Sequence, residues 1–182
     1  KFSDGMINGD YRRYRDGVLR ESGIYAKGKR NSTFTEYYQD GVTPRKETPM
    51  QQGKIDGTVK TYFRNGKIEA EKEYKQSVES GRERRFDSKT GEQIFESHYI
   101  DGKKDGEEWE IFEDASTLRS RIIRHYRNGK LDGSYRVEST RDGKPYITIE
   151  GQYTDGEKSG QWIEHNYDNN TQTCTWHGEG GA

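Results

Sequence analysis

The stretch Tyr126-Arg-Asn-Gly-Lys-Leu-Asp-Gly133 places an aromatic residue and two glycines at a fixed spacing. We call this eight-residue pattern the frame and number its positions 1 to 8. It recurs along the chain, with some positions altered, as Phe2–Gly9, Tyr25–Ser32, Met50–Gly57, Tyr74–Gly81, Tyr99–Gly106, Tyr126–Gly133 and Tyr153–Gly160. Frames start 23 to 27 residues apart, and a period of that length is typical of an array of small structural units.

The composition is compatible with an array that has a thin apolar core. Of 182 residues, 27% are hydrophobic and 35% are charged, and the mean hydropathy is −1.34. This balance alone would be typical of a disordered chain. The sequence nevertheless contains 13 Tyr, 6 Phe and 3 Trp, whereas disordered chains contain few aromatic residues. Periodic aromatic burial on one face of a sheet accounts for both observations.

Each repeat is predicted to be a β-hairpin. Residues 57–63 and 68–74 flank Asn65-Gly66, and the second of these segments alternates apolar and charged residues. Asn-Gly between two such segments indicates a type I′ turn, in which both central residues have positive φ. The same turn is predicted at Asp16-Gly17, Asp40-Gly41 and Asp142-Gly143.

The predicted fold class is all-β, an elongated antiparallel sheet of about seven stacked hairpin repeats. A lone hairpin is only marginally stable, so the repeats are expected to stack as a single domain over residues 1–182, with one buried face and one charged face. The approximate units are 2–24, 25–49, 50–73, 74–98, 99–125, 126–152 and 153–182.

Two segments depart from the hairpin pattern. Pro44 and Pro49 lie where the second strand of the second unit should run. Because proline cannot donate to a ladder, we expect a bulge, bend or edge there. Residues 118–124 also fit a short helix, so a helix remains an alternative to a strand in the fifth unit.

The repeated Tyr-x-x-Gly-Lys-x-x-Gly, followed by an aromatic pair and an Asn-Gly or Asp-Gly turn, resembles the MORN repeat, and more closely its bacterial variant. The resemblance extends from Phe2 to about Trp176. Two copies depart from it, with Asn31-Ser32 and Ser77 where glycines are expected. The resemblance implies an extended antiparallel sheet of hairpins without enzymatic activity.

The resemblance also implies a binding function. The bacterial variant repeat is found in proteins that look like antitoxins or immunity proteins, which hold a partner inactive. We therefore expect a non-catalytic module that neutralises a cognate toxin or effector protein by binding and occluding it. The resemblance also implies other roles, since MORN arrays are similar to one another in serving as scaffolds, dimerisation modules or lipid-associated platforms. A structural scaffold or membrane-associated platform is thus the alternative function, and a homodimer is an alternative partner arrangement.

Charge and the first residue guide the expected partners and location. The chain has 31 Lys and Arg against 32 Asp and Glu, a net charge of −1, so nucleic acid is not an expected partner. No run of about 18 apolar residues occurs, so membrane association would depend on an N-terminal anchor. The sequence begins with Lys1 rather than Met, and its first residues already belong to a repeat, which we interpret as a processed or trimmed product that has lost any leader. We expect a bacterial protein, with the periplasm favoured over the cytoplasm.

No residue pattern predicts a catalytic site, a metal site or a cofactor. His98 and His125 precede successive frame tyrosines and should lie about 10 Å apart across two strand spacings, too far to share one zinc ion. Cys174 is the single cysteine and has no nucleophile signature around it. The glycines have the spacing of turns, and phosphate-loop, dinucleotide and nucleophile-elbow motifs do not occur.

Residues that differ between copies of the repeat are the candidates for partner contact. Neighbouring aromatics such as Tyr62 and Phe63 point to opposite faces, so one of them must leave the core. The arginines after Gly81 and the glutamates after Gly106 either neutralise one another along the sheet or belong to a contact surface. The predicted partner-binding residues are Tyr38, Phe63, Arg82, Arg84, Phe86, Trp109, Glu110, Phe112, Tyr135 and Trp162.

The predicted array should be elongated in solution. Seven hairpins with two strands each, at about 4.8 Å per strand, would extend on the order of 65 Å. Small-angle X-ray scattering should therefore give a radius of gyration well above the roughly 16 Å that size scaling assigns to a globule of this length. A value close to that of the globule would contradict the predicted shape.

Overall fold

A computed structural model describes residues 2–3, 5–113, 119–141, 144–166 and 171–178. The described residues form antiparallel strands, which confirms the all-β prediction. They include no helix long and apolar enough to cross a membrane. The chain divides into two compact units, Lys1–Gln93 and Ile94–Ala182. This boundary falls inside the predicted repeat 74–98.

The first unit is built from short strands that follow one another as an antiparallel meander. Its strands are β1 (Phe2–Ser3), β2 (Met6–Ile7), β3 (Gly9–Arg15), β4 (Val18–Ala26), β5 (Lys29–Arg30), β6 (Thr33–Tyr37), β7 (Pro44–Gln51), β8 (Lys54–Ile55), β9 (Gly57–Tyr62), β10 (Ile68–Lys75) and β11 (Val78–Phe86). Strands β1 and β2 form a separate pair. In the main sheet β3 pairs with β4, β4 with β5 and β6, β6 with β7, β7 with β8 and β9, and β10 with both β9 and β11.

The second unit continues the same pattern with longer strands. They are β12 (Gln93–Ile100), β13 (Lys103–Lys104), β14 (Gly106–Glu113), β15 (Arg119–Arg127), β16 (Lys130–Arg141), β17 (Lys144–Thr154), β18 (Glu157–Asn166) and β19 (Thr171–His177). Strand β12 pairs with β13 and β14, and from β14 to β19 each strand pairs with the next. The architecture is therefore local, with sequence neighbours as hydrogen-bonding neighbours.

Among the described residues, six of the seven frames have a tight turn at their third and fourth positions. Both residues have positive φ, as a type I′ turn requires. The pairs are Lys27-Gly28, Gln52-Gly53, Gln76-Ser77, Asp101-Gly102, Asn128-Gly129 and Asp155-Gly156. The residue at position 4, which is glycine in five of these six pairs, is thus the second central residue of the turn. Ser77 adopts the same conformation without being glycine, with φ of 71°.

Successive frame turns are joined by backbone hydrogen bonds, which we call the turn ladder. In each case the amide at frame position 4 donates to the carbonyl at position 6 of the preceding frame. The bonds run from Gly28 to Ile7 (2.9 Å), Gly53 to Arg30 (2.8 Å), Ser77 to Ile55 (2.7 Å), Gly129 to Lys104 (2.7 Å) and Gly156 to Leu131 (2.8 Å). The ladder therefore fixes the stagger between consecutive hairpins within each unit.

A side chain at frame position 7 reinforces the turn ladder. Its oxygen accepts a hydrogen bond from the amide at position 3 of the next frame. The pairs are Asn8 with Lys27 (3.2 Å), Asn31 with Gln52 (3.1 Å), Asp105 with Asn128 (3.0 Å) and Asp132 with Asp155 (3.5 Å). The recurrence of Asn or Asp before the last glycine of the frame therefore has a physical cause, since these side chains satisfy a turn amide that the strands leave unpaired.

The turns at the opposite ends of the hairpins, which we call the hairpin tips, differ from one another. Asp16-Gly17 has positive φ at both residues, so the type I′ prediction is confirmed there. Asn65-Gly66 and Asp40-Gly41 also end hairpins, but only the glycine of each has positive φ. Asp142-Gly143 lies outside the described residues.

The type I′ prediction is wrong at Asn65 and Asp40 because their side chains cap longer turns. The Gly66 amide donates to the Phe63 carbonyl at 2.9 Å, as in a type I turn followed by a left-handed glycine. The Asn65 amide oxygen accepts from the Lys67 N–H at 3.0 Å, and the Asp40 carboxylate accepts from two N–H groups further along its loop. Each side chain thus closes a hydrogen bond within its own loop, as in an Asx turn, and the loop is wider than a two-residue hairpin turn.

The two irregular segments resolve differently. The pairing of β6 and β7 shifts register between Glu36 and Tyr37, opposite Pro44, which confirms the expected bulge. The helix alternative is wrong for Arg119–Arg127, which is a strand. It pairs along its length with β14 on one side and β16 on the other, so its successive side chains point to opposite faces of the sheet.

The core position of a repeat lies two residues after the end of its frame. The residues there are Tyr11, Phe34, Val59, Glu83, Glu108, Tyr135 and Trp162. In the first unit the rings of Tyr11, Tyr25 and Phe34 have centroids 5.3 to 6.0 Å apart. In the second unit Tyr135, Tyr153 and Trp162 have centroids 5.2 to 5.8 Å apart. Each unit therefore has its own small aromatic cluster.

The largest core rings lie against glycines of the neighbouring strand. A Cβ atom at Gly23 would lie 2.7 Å from the Phe34 ring, and one at Gly151 would lie 2.3 Å from the Trp162 ring. A cation covers the ring in both places, with Arg30 Cζ 4.3 Å from the Phe34 centroid and Lys158 Nζ 4.1 Å from a ring centroid of Trp162. Glycine, aromatic ring and cation thus form one layered unit.

Glutamates replace the aromatic ring in the middle repeats. Glu83 is 7% exposed and pairs with Lys72 at 3.1 Å and with Arg85 at 2.7 Å. Glu108 is 1% exposed and pairs with Lys104, and with Arg124 at 3.6 Å. The buried face therefore includes carboxylates here, and cations from the same and adjacent strands neutralise them.

Burial alone would raise the pKa of Glu83. Hydrogen bonds and charges from Arg85 and Lys72 outweigh that effect, so the pKa of Glu83 lies below its ordinary value.

Replacing the glycine under the tryptophan should destabilise the second unit. Gly151→Ala would force its methyl group into the Trp162 ring, and overpacking of this kind costs about 1–3 kcal/mol. Urea denaturation followed by tryptophan fluorescence measures the change. Gly178→Ala is the matched control because its Cβ would meet no atom within 4 Å. Equal stability of the two variants would contradict the proposed packing.

The Glu83 ion pairs should stabilise the fold only while Glu83 is ionised. Since its pKa is lowered on folding, the stabilisation is present above the unfolded value of about 4.3 and is lost as pH falls through the folded pKa. Glu83→Gln should cost about 1–2 kcal/mol at pH 7, and the difference from the parent chain should shrink in acid.

Denaturation of both proteins at pH 7 and in acid measures the Glu83 effect. Glu69→Gln is the control, since Glu69 is exposed and has no ion pair among the described residues. A Glu83→Gln effect that does not change with pH would refute the assignment.

Candidate protein-interaction cleft

The hairpin tips of the first unit line an open cleft with a volume of about 580 Å³. We call it the Arg–Tyr cleft. Its lining residues are Arg13, Arg15, Asp16, Arg20, Glu36, Tyr37, Tyr38, Gln39, Arg45 and Arg64. They come from the ends of β3, β6 and β9 and the starts of β4 and β7. Because the turn ladder aligns the other ends of these hairpins, their tips are brought side by side here.

Tyr38 contacts residues of two other hairpins at the cleft. Its hydroxyl donates to the Tyr62 carbonyl at 2.5 Å, and its own carbonyl accepts from Arg20 Nη1 at 3.1 Å. Arg64 Cζ lies 5.6 Å from the centroid of the Tyr38 ring. One half-buried tyrosine therefore positions arginines from two different hairpins.

The arginines of the cleft differ in their pairing. Arg13 Nε lies 3.2 Å from a carboxylate oxygen of the buried Glu21. Arg15 lies 3.9 Å from Asp16, and Arg45 pairs with Glu36. Among the described residues, no carboxylate lies within ion-pair distance of Arg20 or Arg64. The cleft therefore carries two guanidinium groups that form no ion pair within the described part of the chain.

Two further groups stiffen the cleft. Hydrogen bonds from the Thr43 hydroxyl and from the Val42 and Thr43 amides hold the pKa of Asp40 below its usual value, with a smaller contribution from Arg64. The loop that carries Asp40 is thus fixed by an ionised carboxylate. Burial, together with Glu47 at 2.6 Å, raises the pKa of Tyr62 to about 12, so its phenol remains a hydrogen-bond donor near neutral pH.

Charge is distributed unequally between the two units. The sequence of the first unit has 20 Lys and Arg against 15 Asp and Glu, whereas that of the second has 11 against 17. The small net charge of the whole chain therefore combines a basic half with an acidic half. The Arg–Tyr cleft belongs to the basic half, which adds to its attraction for anionic groups.

Among the predicted partner-binding residues of the first unit, only Tyr38 lines the Arg–Tyr cleft. Phe63 is half-buried in the adjoining turn, where its N–H donates to the Lys67 carbonyl at 2.9 Å. Arg84 pairs with Glu71 at 2.9 Å. Arg82 is exposed and Phe86 is half-buried. The structure therefore separates these residues into different places on the unit.

The predicted residues of the second unit also fall into separate environments. Trp109 lies under Arg121, whose Cζ is 4.5 Å from its ring centroid, and Glu110 pairs with Arg124 at 3.0 Å.

Phe112 is an exposed residue of β14, with 37% of its surface accessible. Tyr135 and Trp162 pack in the aromatic cluster, and Trp162 is only 5% exposed. The rings of Tyr135 and Trp162 are thus largely committed to their own core.

Sequence reasoning missed the arginines of the Arg–Tyr cleft. They are spread from Arg13 to Arg64 and form no run that would indicate a basic patch. Their shared property is that each lies within a few residues of a hairpin tip. Alignment of the repeats on the frame, followed by comparison of residues near the tips, would have placed them together.

The histidines and the cysteine lie in ordinary strand positions. His98 Nδ1 is 3.3 Å from the Glu107 carbonyl, and His125 Nδ1 is 3.3 Å from the Ser134 carbonyl, so these two residues occupy equivalent environments. Cys174 is exposed. Within the ranges that the structure describes, no group of three or more His, Cys, Asp or Glu is arranged to hold a metal ion.

Comparisons with known proteins identify no relative of this chain. No protein-family model matches the sequence, and a search of curated proteins finds no significant match. The resemblance to the MORN repeat therefore rests on the repeated sequence pattern alone.

Proposed function

We propose that this chain is a non-catalytic protein-binding module of the immunity or antitoxin type, which neutralises a toxic bacterial effector by binding and occluding it. The observation that carries the proposal is the Arg–Tyr cleft, where Arg20 and Arg64 are held in place and form no ion pair with any described carboxylate. An arginine side chain that is held in place but forms no ion pair within its own protein is suited to contact with another molecule. The periplasm is the proposed compartment.

The mechanism is steric occlusion by a preformed surface. The tips that line the cleft are tied down by the Tyr38 hydroxyl and by the Asp40 turn, so little ordering entropy is lost when a partner docks. Arginine presents a planar fork that contacts carboxylates through two parallel hydrogen bonds. An effector held on this surface would be unable to admit its substrate.

The proposal predicts a toxic partner whose effect the chain suppresses. The immobilised chain would be incubated with extract of the bacterium that encodes it, and each captured protein would be identified. The corresponding gene would then be expressed alone and together with this chain. We expect growth arrest when the captured protein is expressed alone and normal growth on co-expression.

Two controls make the growth result specific. An unrelated β-rich protein expressed at the same level should give no protection, and a catalytically dead effector should still be captured. Capture of proteins that are all harmless, or toxicity that co-expression leaves unchanged, would contradict the proposed function.

A further inference from the structure

The chemistry of the Arg–Tyr cleft specifies what the partner must present. We propose that the cleft binds an acidic segment of the partner protein, in which two carboxylate side chains contact Arg20 and Arg64. The identity of the partner rests on the function proposed above, whereas the preference for carboxylates rests on the cleft itself.

The two arginines are set by a single residue. Arg20 Nη1 donates to the carbonyl of Tyr38 at 3.1 Å, and Arg64 lies over the ring of the same tyrosine, with Cζ at 5.6 Å from the centroid. Each contact uses only part of the guanidinium group, which has five N–H donors. The remaining donors of both groups are available for a carboxylate.

The number of unneutralised charges sets the size of the acidic segment. Three of the five lining arginines already lie within ion-pair distance of Glu21, Asp16 or Glu36. Arg20 and Arg64 therefore carry the charge that a ligand must complement. Since one guanidinium can bind one carboxylate in a bidentate manner, two acidic side chains complete the cleft.

Polar groups beside the arginines suit a peptide. The Tyr37 hydroxyl lies 3.0 Å from the Ser22 hydroxyl, and Gln39 is exposed at the rim. A half-buried tyrosine and a free amide can contact the backbone of an extended segment, as aromatic and polar residues do at interface cores. The lining is thus more varied than a purely electrostatic site requires.

An acidic protein segment fits this cleft better than nucleic acid or a membrane. Nucleic acid binding relies on several cations that follow the phosphate backbone, and single-strand sites add stacked aromatic platforms. Recognition of anionic lipid uses clusters of about four to eight Lys and Arg. Two unneutralised arginines within a cleft that contains its own carboxylates match neither arrangement.

The test uses the full chain and a short fluorescein-labelled peptide of alternating Glu and Gly, followed by fluorescence anisotropy at low ionic strength. The double variant Arg20→Gln/Arg64→Gln should bind more weakly by about tenfold for each arginine. The matched control is Arg12→Gln/Lys75→Gln, which removes the same charge from two exposed cations of the first unit that do not line the cleft. This control should bind within about twofold of the parent chain.

Loss of the Arg20 contact could disturb the hairpin tip, so a second variant isolates binding from folding. Arg64 is exposed, and its described contacts are with the Tyr38 ring and the nearby Asp40. Arg64→Glu should therefore keep the thermal unfolding midpoint of the parent chain while abolishing peptide binding. Unchanged peptide affinity in a folded Arg64→Glu protein would overturn the inference.

Three ligand comparisons complete the test. A peptide of alternating Gln and Gly should not bind, and neither a single-stranded oligonucleotide of equal charge nor phosphatidylglycerol vesicles should bind more tightly than the Glu peptide. Tighter binding of any of these, or equal losses in the two double variants, would overturn the inference. If the cleft variants still neutralise the toxic effector, the carboxylate inference fails while the proposed function stands.

Discussion

The hydrogen bond from a frame turn to the preceding frame, present at five of the described turns, is the interaction on which the rest of the structure depends. A type I′ turn directs an amide outward, and here that amide meets the carbonyl at frame position 6 of the hairpin before it, as in Gly129 to Lys104. Asp105 adds a second bond to the same turn. Because these bonds set the stagger at one end of the hairpins, the opposite tips are aligned without being restricted in sequence.

The small size of the core reflects the low apolar content of the chain, in which 27% of the residues are hydrophobic. Layers of glycine, aromatic ring and cation at Gly23, Phe34 and Arg30 let a single ring fill the space between strands. In the middle repeats a buried glutamate with cations from adjacent strands fills the same position. Such pairs contribute less than apolar packing, since the cost of removing charges from water offsets much of their attraction. They also make stability sensitive to acid.

The regular part of the fold could be predicted from sequence because its causes are local. Asn128-Gly129 encodes its turn through the φ preferences of its own residues, and the frame repeats that signal. Asn65-Gly66 looks the same in sequence but forms a wider turn, because its side chain accepts a hydrogen bond from Lys67. That choice depends on where the partner strand begins, which the dipeptide does not encode.

The buried acids and the cleft could not be predicted because their causes are distant in sequence. Glu83 and Glu108 both lie two residues after the end of a frame, a position that the sequence shows. The burial of Glu83 also depends on its ion pair with Lys72 of the neighbouring strand, which the sequence around Glu83 does not show. Tryptophan is common at protein interfaces, but the absence of a side chain at Gly151 leaves space for the Trp162 ring in the core. Tyr38 was predicted as a contact residue, while Arg20 and Arg64 become its neighbours only after the tips are aligned.

Amide hydrogen exchange by NMR measures the turn ladder directly. The Gly28, Gly53, Gly129 and Gly156 amides donate to the preceding frame, whereas Gly17 occupies a similar type I′ turn and has no such bond among those described. The four ladder amides should exchange more slowly than Gly17 by on the order of tenfold or more, because opening them requires separation of neighbouring repeats. Exchange of the ladder amides as fast as that of Gly17 would contradict the role assigned to the ladder.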